Sequence, residues 1–299
     1  MCVNSGEQLI KGVKCLSETA GFFMWTDIDI RQYKLAVFDV DGTILEPNKE
    51  IHPFTRPVLL DLKQAGIPFT LATGKNMKST RAVAEVLEID LPLILANGCI
   101  LQTLNGTIHQ KHLLNSEFIW KLIDECEDVG LDLAIHINED IYVKEINNHV
   151  SLLCEYGSPN LEVVGDWKKA SHLIPEAYKC IAINREIRAP LFALEQKMKE
   201  RVGDSVEYCH TLEEMVEFMP KGVSKMTGLN AILKEMGISL REVLAFGNGF
   251  NDIDMLHAAG FGVAVENAIQ PLKDHADLIV PSCAENGPAL FLQSLLNKL

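Results

Sequence analysis

Short apolar runs alternate with amphipathic stretches along much of the chain from residue 34 onward. The first apolar run, Leu35 to Phe38, is followed by apolar residues at helical spacing between Thr55 and Ala65. The alternation continues in strand-sized runs at 68–72, 93–96, 243–246, 262–265 and 278–280, and in amphipathic segments at 78–87 and 251–259. This pattern is typical of βαβ units and predicts an α/β fold with a mostly parallel sheet.

The pattern changes in the middle of the chain, where mixed strands and helices carry more polar interruptions. Because a strand-like run precedes this segment and a second α/β block follows it, we interpret the segment as an inserted domain. The predicted organisation is an N-terminal extension at 1–30, a core at 31–97 and 220–299, and an inserted α/β cap at 98–219.

The composition disfavours polyanionic partners and indicates the cellular compartment. The 299 residues include 27 basic and 41 acidic ones, a net charge of -14, so we expect no nucleic acid and no anionic membrane surface as a partner. Eight scattered cysteines without a CxxC pair favour a reduced, cytoplasmic protein. Residues 1–30 lack the basic start and long apolar stretch of a signal peptide or membrane anchor. The spacing of Leu9, Ile10, Val13 and Leu16 instead predicts a short surface helix.

Three polar loops that contain glycine follow predicted strands. Residues 39–43 follow the first strand, residues 73–75 follow the second, and residues 247–252 follow a late one. Because ligands of open α/β sheets bind outside the carboxyl ends of the strands, we expect these loops to meet in one crevice. Lys225 lies in a fourth polar segment, where the chain returns to the core.

The residue types in these loops suit phosphoryl transfer. Asp39 is the candidate nucleophile, because a carboxylate can form an acyl-phosphate that water then hydrolyses. Asp41, two residues on, can protonate the leaving oxygen. Gly42 and Gly74 leave backbone N–H groups open to a phosphate, and Thr73 adds a hydroxyl donor.

Positive charge in this crevice would come from Lys225 and a metal ion. The Lys225 ammonium group can offset the charge of the phosphoryl oxygens. Oxygen ligands from Asp39, a backbone carbonyl and the late loop would suit Mg²⁺, which prefers hard oxygen donors and waters. The sequence therefore predicts a Mg²⁺-dependent phosphatase that acts on a small phosphorylated metabolite.

Six segments of the chain match the motifs of one enzyme superfamily. They are DVDGTIL (39–45), ATGK (72–75), ILANG (94–98), PKGVSK (220–225), AFGNGFNDIDML (245–256) and AVENAIQPLKDHAD (264–277). In these motifs, in their order and in their spacing the chain resembles the haloacid dehalogenase superfamily of phosphohydrolases. The resemblance is to its Cof-like branch, in which a large α/β cap is inserted between the second and third motifs.

The resemblance implies a Rossmann-like core and a role for each matching residue. It implies that Asp39 is the nucleophile, Asp41 the general acid and base, and Lys225 the stabiliser of charge. Thr73 is implied as a phosphate ligand, and Asn251 is a further candidate for that role. The family's substrates are mostly sugar phosphates and other small phosphorylated metabolites, and its cap reads the leaving group.

Metal binding is also implied, by Asp39, the Asp41 carbonyl and the late acidic loop, where Asn248 and Asp252 are the candidates. Family members usually carry aspartate at the position of Asn248. Because asparagine offers an oxygen without a negative charge, we predict weaker Mg²⁺ affinity than in a typical relative, unless Asp252 compensates. Members often carry arginine where this chain has Lys75, which keeps the charge but loses the bidentate geometry.

Other interpretations remain open at this stage. Asp39 and Asp41 can simply close an Asp-Gly turn, and Asn251 can cap a helix. An EF-hand is disfavoured because Gly42 occupies the fourth loop position rather than the sixth. A dinucleotide fingerprint is disfavoured because Asp252 replaces its third glycine.

Two other functions also remain open. Asn248 is compatible with a phosphometabolite-binding or regulatory protein that has lost turnover, although such a protein would need neither a nucleophile nor an acid. A phosphomutase would keep the intermediate and pass the phosphoryl group to a sugar. In the cap, the polar residues Asn138, Tyr142 and Lys144 could face a substrate, whereas His136 and His210 are expected to be structural or at the surface.

Overall fold

The computed structural model describes residues 28–46, 50–157, 161–186, 189–210 and 212–299. The helix predicted between Leu9 and Leu16 lies outside the described residues. The strands are β1 (Leu35–Phe38), β2 (Phe69–Leu71), β3 (Leu93–Leu95), β4 (Ile100–Gln102), β5 (Ile108–Lys111), β6 (Asp132–Ile137), β7 (Asp140–Val143), β8 (Leu161–Val163), β9 (Ala177–Ile183), β10 (Val206–Cys209), β11 (Met215–Pro220), β12 (Val243–Gly247), β13 (Phe261–Val265) and β14 (Leu278–Val280). The α-helices are α1 (Thr55–Gln64), α2 (Met77–Val86), α3 (Ser116–Val129), α4 (Ser151–Glu155), α5 (Ala189–Val202), α6 (Lys225–Met236), α7 (Ile253–Ala258), α8 (Gln270–Lys273) and α9 (Gly287–Leu296).

The core contains a parallel sheet in the order β14-β13-β12-β1-β2. A parallel bridge between Ala72 and Ile94 joins β3 to its edge. Strand β1 is central and buried along its whole length, as expected for an uninterrupted apolar run covered on both faces. The rings of Phe38 and Phe246 stack at 4.5 Å at the ends of β1 and β12. The loops that follow these two neighbouring strands therefore begin side by side.

The cap contains a sheet in the order β10-β11-β9-β6-β7-β8, in which only the β7–β8 pair is parallel. One face packs on α3 and α5, which cover a cluster that includes Ile135, Cys180 and Phe218. The other face packs partly on α4, around Ala134 and Ile181. Alternate residues of each cap strand thus belong to different faces, as the pleat requires.

The hairpin β4–β5 extends the pairing of β3 in a three-stranded sheet of order β3-β4-β5. It follows the predicted start of the insertion at residue 98, yet β4 pairs with β3, and Ile100 and Leu101 belong to the core cluster. We therefore propose that this hairpin is part of the core and that the cap's own fold extends from α3 to β11.

The turn between β6 and β7 rests on the first turn of α2 in the core. Asn76 Nδ2 donates to the Glu139 carbonyl at 2.9 Å, and Lys78 Nζ lies 2.8 Å from Asp140 Oδ1. These two contacts join the cap to the core. Among the described residues, no helix has the length and apolar character needed to cross a membrane.

Candidate active site

Asp39 lies directly after the central strand β1. Its backbone N–H donates to the Phe246 carbonyl at 2.9 Å, and the residue is only 6% exposed. The Thr43 hydroxyl donates to Asp39 Oδ2 at 2.8 Å. Gly42 turns the chain between them with φ of +79°, a value that favours glycine. The nucleophile predicted from the sequence is therefore fixed by the sheet and by its own loop.

Lys225 bridges two buried carboxylates. Its Nζ lies 2.5 Å from Asp39 Oδ1 and 2.6 Å from Asp252 Oδ1, and the residue is completely buried. Asp252 Oδ2 accepts hydrogen bonds from the backbone N–H groups of Asn248 and Gly249, each at 2.9 Å. Both oxygens of Asp252 are thus engaged, so this carboxylate fixes Lys225 and the late loop.

The charges in this cluster shift the pKa values of Asp39 and of Lys225 itself. Burial and the neighbouring Asp252 carboxylate raise the pKa of Asp39 to about 7, although Lys225 opposes the shift. Burial would lower the pKa of Lys225, but Asp252 and Asp39 outweigh it and raise that pKa above its usual range. Because one ammonium group serves two carboxylates, a further positive charge beside Asp39 would favour its anionic, nucleophilic form.

The loop after β2 brings Thr73 and Lys75 to the same crevice. Thr73 is buried, and its N–H donates to the Ile94 carbonyl at 2.8 Å, which anchors the loop to β3. Thr73 Oγ1 accepts a hydrogen bond from the Lys75 N–H at 3.2 Å. Lys75 Nζ lies 2.6 Å from Asp41 Oδ1, and the Asp41 side chain is 48% exposed. The candidate acid therefore lies at the mouth of the site, paired with a cation.

Two asparagines hold the carbonyls of the loop after β1. Asn248 Nδ2 donates to the Asp41 carbonyl at 3.0 Å, and Asn267 Nδ2 donates to the Gly42 carbonyl at 2.8 Å. Asn267 Oδ1 in turn accepts from the Cys283 N–H at 2.9 Å. The sequence analysis did not single out Asn267, although it lies within the matched segment AVENAIQPLKDHAD.

The donor set around Asp39 fits a hard divalent cation. The Asp39 carboxylate, the Asp41 carbonyl and the Asn248 carboxamide supply oxygen ligands of the kind that Mg²⁺ prefers. The 3.0 Å contact joins Asn248 Nδ2 to the Asp41 carbonyl, so a flip of this carboxamide would place its oxygen beside that carbonyl. Across the described part of the chain there is no cluster of three or more histidine, cysteine, aspartate or glutamate residues that could hold a metal.

Asn251 does not cap a helix, contrary to one of the interpretations left open above. It lies inside a short 3₁₀ turn, Phe250–Asp252, and its Nδ2 donates to Asn97 Oδ1 at 2.9 Å. Asn97 takes a left-handed conformation with φ of 56°. The side chain of Asn251 thus ties the late loop to the loop after β3, and its role as a phosphate ligand stays a prediction.

Three polar cap residues suggested by the sequence have other contacts. Lys144 pairs with Glu127 on α3 at 2.7 Å, and Tyr142 packs on the face that α3 and α5 cover. Asn138 Oδ1 accepts from Lys111 at 3.2 Å. Two cap groups that contact the loops of the crevice, Lys179 and Glu217, were not identified from the sequence. The sequence signal that could have identified these two residues is a charged residue within an otherwise apolar strand.

Comparison with known proteins identifies the family of this chain. The family model described as haloacid dehalogenase-like hydrolase matches residues 36–292. An HMP-PP phosphatase from Citrobacter koseri is 24% identical over 239 residues, which cover 80% of this chain and 86% of the relative.

Solved structures show the same fold. A haloacid dehalogenase-like hydrolase from Bacteroides thetaiotaomicron superposes with a TM-score of 0.80 at 24% identity, covering 87% of this chain and 98% of that structure. A subclass IIB sugar phosphatase superposes with a TM-score of 0.74 at 23% identity, covering 87% of this chain and 98% of that structure. The predicted α/β core with an inserted α/β cap is confirmed. The chain belongs to the haloacid dehalogenase-like hydrolase family, and it is a phosphatase.

Proposed function

We propose that this protein hydrolyses a small phosphorylated metabolite of the sugar phosphate class in a Mg²⁺-dependent reaction through an aspartyl-phosphate on Asp39. The observation that carries the proposal is the arrangement of Asp39. Its buried carboxylate ends the central strand and contacts a cation, Lys225, on one oxygen and a hydroxyl, Thr43, on the other. A fixed, partly neutralised carboxylate at the binding edge of the sheet suits nucleophilic attack on phosphorus.

In the first step, an oxygen of Asp39 forms a bond to phosphorus and the bond from phosphorus to the leaving oxygen breaks. Asp41 donates a proton to that oxygen, so the product departs as an alcohol. The Thr73 hydroxyl and the backbone N–H groups near Gly42 and Gly74 hold the phosphoryl oxygens. Lys225 offsets their negative charge.

In the second step, water attacks the phosphorus of the aspartyl-phosphate. Asp41, now a carboxylate, takes the proton of that water, and the bond between phosphorus and Asp39 breaks to release phosphate. The Lys75 ammonium group, 2.6 Å from Asp41 Oδ1, helps to position this side chain at the mouth of the site.

The residues that would hold Mg²⁺ are Asp39, Asp41 through its carbonyl, and Asn248. Asp252, the fourth ligand predicted from the sequence, would act from outside the ligand set, because Lys225 and two backbone N–H groups occupy its oxygens. When bound, the ion supplies positive charge beside the phosphoryl oxygens.

The test is phosphate release from a panel of sugar phosphates and an aryl phosphate, with and without Mg²⁺. The aryl phosphate reports the chemical step without demands on the cap. Release that requires Mg²⁺ and disappears in Asp39→Asn supports the proposal. Release that persists in Asp39→Asn would refute the role of Asp39.

A second candidate is a protein that binds phosphometabolites without turnover, and Asn248 is the observation that favours it. Its amide group occupies the Asp41 carbonyl that a metal would need. Binding of phosphorylated ligands with no release of phosphate at any Mg²⁺ concentration would favour this candidate.

A further inference from the structure

Three polar side chains interrupt the apolar face of the cap sheet. His136 on β6 and Lys179 on β9 are register partners, so their side chains project from the same face. Glu217, on the neighbouring strand β11, places Oε2 at 2.7 Å from Lys179 Nζ. The three residues are 2%, 2% and 4% exposed. We call His136, Lys179 and Glu217 the cap triad.

The cap triad reaches the loops of the active site. Lys179 Nζ donates to the Gly74 carbonyl at 3.0 Å, within the predicted phosphate-binding loop. Asn97 Nδ2 donates to Glu217 Oε2 at 3.0 Å, and Asn97 Oδ1 accepts from Asn251 in the late loop. The loop after β2 thus contacts the cap triad directly, and the late loop contacts it through Asn97. A substrate whose phosphate lies at these loops would direct its leaving group toward the cap triad.

The stability of the cap does not account for these side chains. Transfer of two charges from water into a protein costs free energy, and replacement of a buried ion pair by apolar residues is often neutral or stabilising. Both ring nitrogens of His136 are buried without a hydrogen-bond partner. An unsatisfied buried polar group costs about 1–3 kcal/mol. Polar groups kept at this cost beside a catalytic crevice point to a ligand.

The charges of the cap triad define the kind of leaving group it would accept. Lys179 and Glu217 neutralise each other, and burial lowers the pKa of His136 so that its ring is neutral. A hydroxyl group can donate to Glu217 and accept from Lys179 in one geometry. A second phosphate would meet no net positive charge in the cap triad, so the free energy needed to remove it from water would not be offset.

We propose that His136, Lys179 and Glu217 bind the leaving group and select uncharged, hydroxyl-bearing leaving groups against those that carry a second phosphate. The proposal rests on the phosphatase function proposed above. Cap opening would separate Lys179 from Gly74 and Glu217 from Asn97, which frees their hydrogen-bonding capacity for a substrate.

The experiment compares kcat/KM, in the presence of Mg²⁺, for a hexose monophosphate, the bisphosphate of the same hexose and nitrophenyl phosphate. We expect the wild-type protein to prefer the monophosphate over the bisphosphate by at least about tenfold. Glu217→Gln keeps the shape and removes the negative charge, so it should shift this ratio toward the bisphosphate by about tenfold. Glu200→Gln, an exposed change on α5 of the cap, is the matched control.

Lys179→Met provides a second variant. It should lower kcat/KM for the hexose monophosphate by about tenfold more than for nitrophenyl phosphate, whose leaving group has no hydroxyl groups to bind. Lys169→Met, an exposed change in the cap, is its control.

A wild-type preference for the bisphosphate would overturn the proposal, and this comparison does not depend on any variant folding. An unchanged ratio in a folded Glu217→Gln variant would also overturn it. If the wild-type protein releases no phosphate from any of the three compounds, the phosphatase proposal is refuted, and this proposal with it. If nitrophenyl phosphate is hydrolysed but Glu217→Gln leaves the ratio of monophosphate to bisphosphate unchanged, only the cap-triad proposal is refuted.

Discussion

Replacement of Lys225 by methionine tests how the buried charges of the active site are balanced. Lys225 is 0% exposed, and its Nζ lies 2.5 Å from Asp39 Oδ1 and 2.6 Å from Asp252 Oδ1. Methionine keeps most of the side-chain volume but leaves two buried carboxylates without their cation. Removal of one partner from a buried ion pair costs about 3–5 kcal/mol. We expect the free energy of unfolding to fall by about that amount.

The double variant Lys225→Met/Asp252→Asn tests the electrostatic cause. Asparagine can keep an oxygen for the N–H groups of Asn248 and Gly249 while it removes one of the two negative charges. We expect the double variant to be more stable than Lys225→Met alone by about 1–3 kcal/mol, because it removes one of the two buried carboxylates left without a cation.

Urea unfolding followed by circular dichroism measures both variants. Lys234→Met, an exposed change on the same helix, is the control and should alter stability by less than about 0.5 kcal/mol. A loss below about 1 kcal/mol in Lys225→Met would refute the reasoning. So would a double variant that is no more stable than the single one.

Burial lowers the pKa of His136 in the folded protein. As the pH falls below about 6.5, the unfolded state therefore binds a proton at this residue that the folded state does not. The free energy of unfolding should then drop by up to about 1.4 kcal/mol per pH unit. Urea unfolding at several pH values measures how the free energy of unfolding depends on pH. His136→Gln should weaken this dependence, whereas the exposed control His172→Gln should leave it unchanged. The same pH dependence in both variants would contradict the prediction. Asn248→Asp should lower the half-saturating Mg²⁺ concentration about tenfold, as measured by calorimetry and by activity. The exposed control Asn105→Asp should leave this concentration unchanged. No change in Asn248→Asp would disprove the ligand role assigned to Asn248. Gly42→Ala should reduce activity and lower the free energy of unfolding by about 1–2 kcal/mol. The reasons are that φ at Gly42 is +79° and that the new Cβ would lie 2.3 Å from Asn248 Nδ2. Stability and activity equal to those of the wild-type protein would argue against this prediction.

The sequence was sufficient to predict the core because its signals are local. The apolar runs that became β1 and β12 needed no knowledge of distant residues, and the crevice rule for parallel sheets then brought their loops together. Asp39 and Lys225 followed from motif order, and the structure places their charged groups 2.5 Å apart. These inferences required only short patterns and one general rule of topology.

The cap contacts could not be predicted in the same way. Lys179 and Glu217 form an ion pair only because β9 and β11 are neighbours, and no local pattern records which strands pair. Asn251 was open to interpretation as a helix cap because its sequence neighbours suit a helix start, yet its partner Asn97 lies 154 residues away in the chain. Long-range hydrogen bonds of this kind depend on the assembled fold.

The central claim is that Asp39 is the nucleophile of a Mg²⁺-dependent phosphatase. The most direct measurement is the rate of phosphate release from nitrophenyl phosphate with Mg²⁺, in the wild-type protein and in Asp39→Asn. We predict release by the wild-type protein and none above background by a folded Asp39→Asn variant. Equal rates in the two proteins would contradict the account.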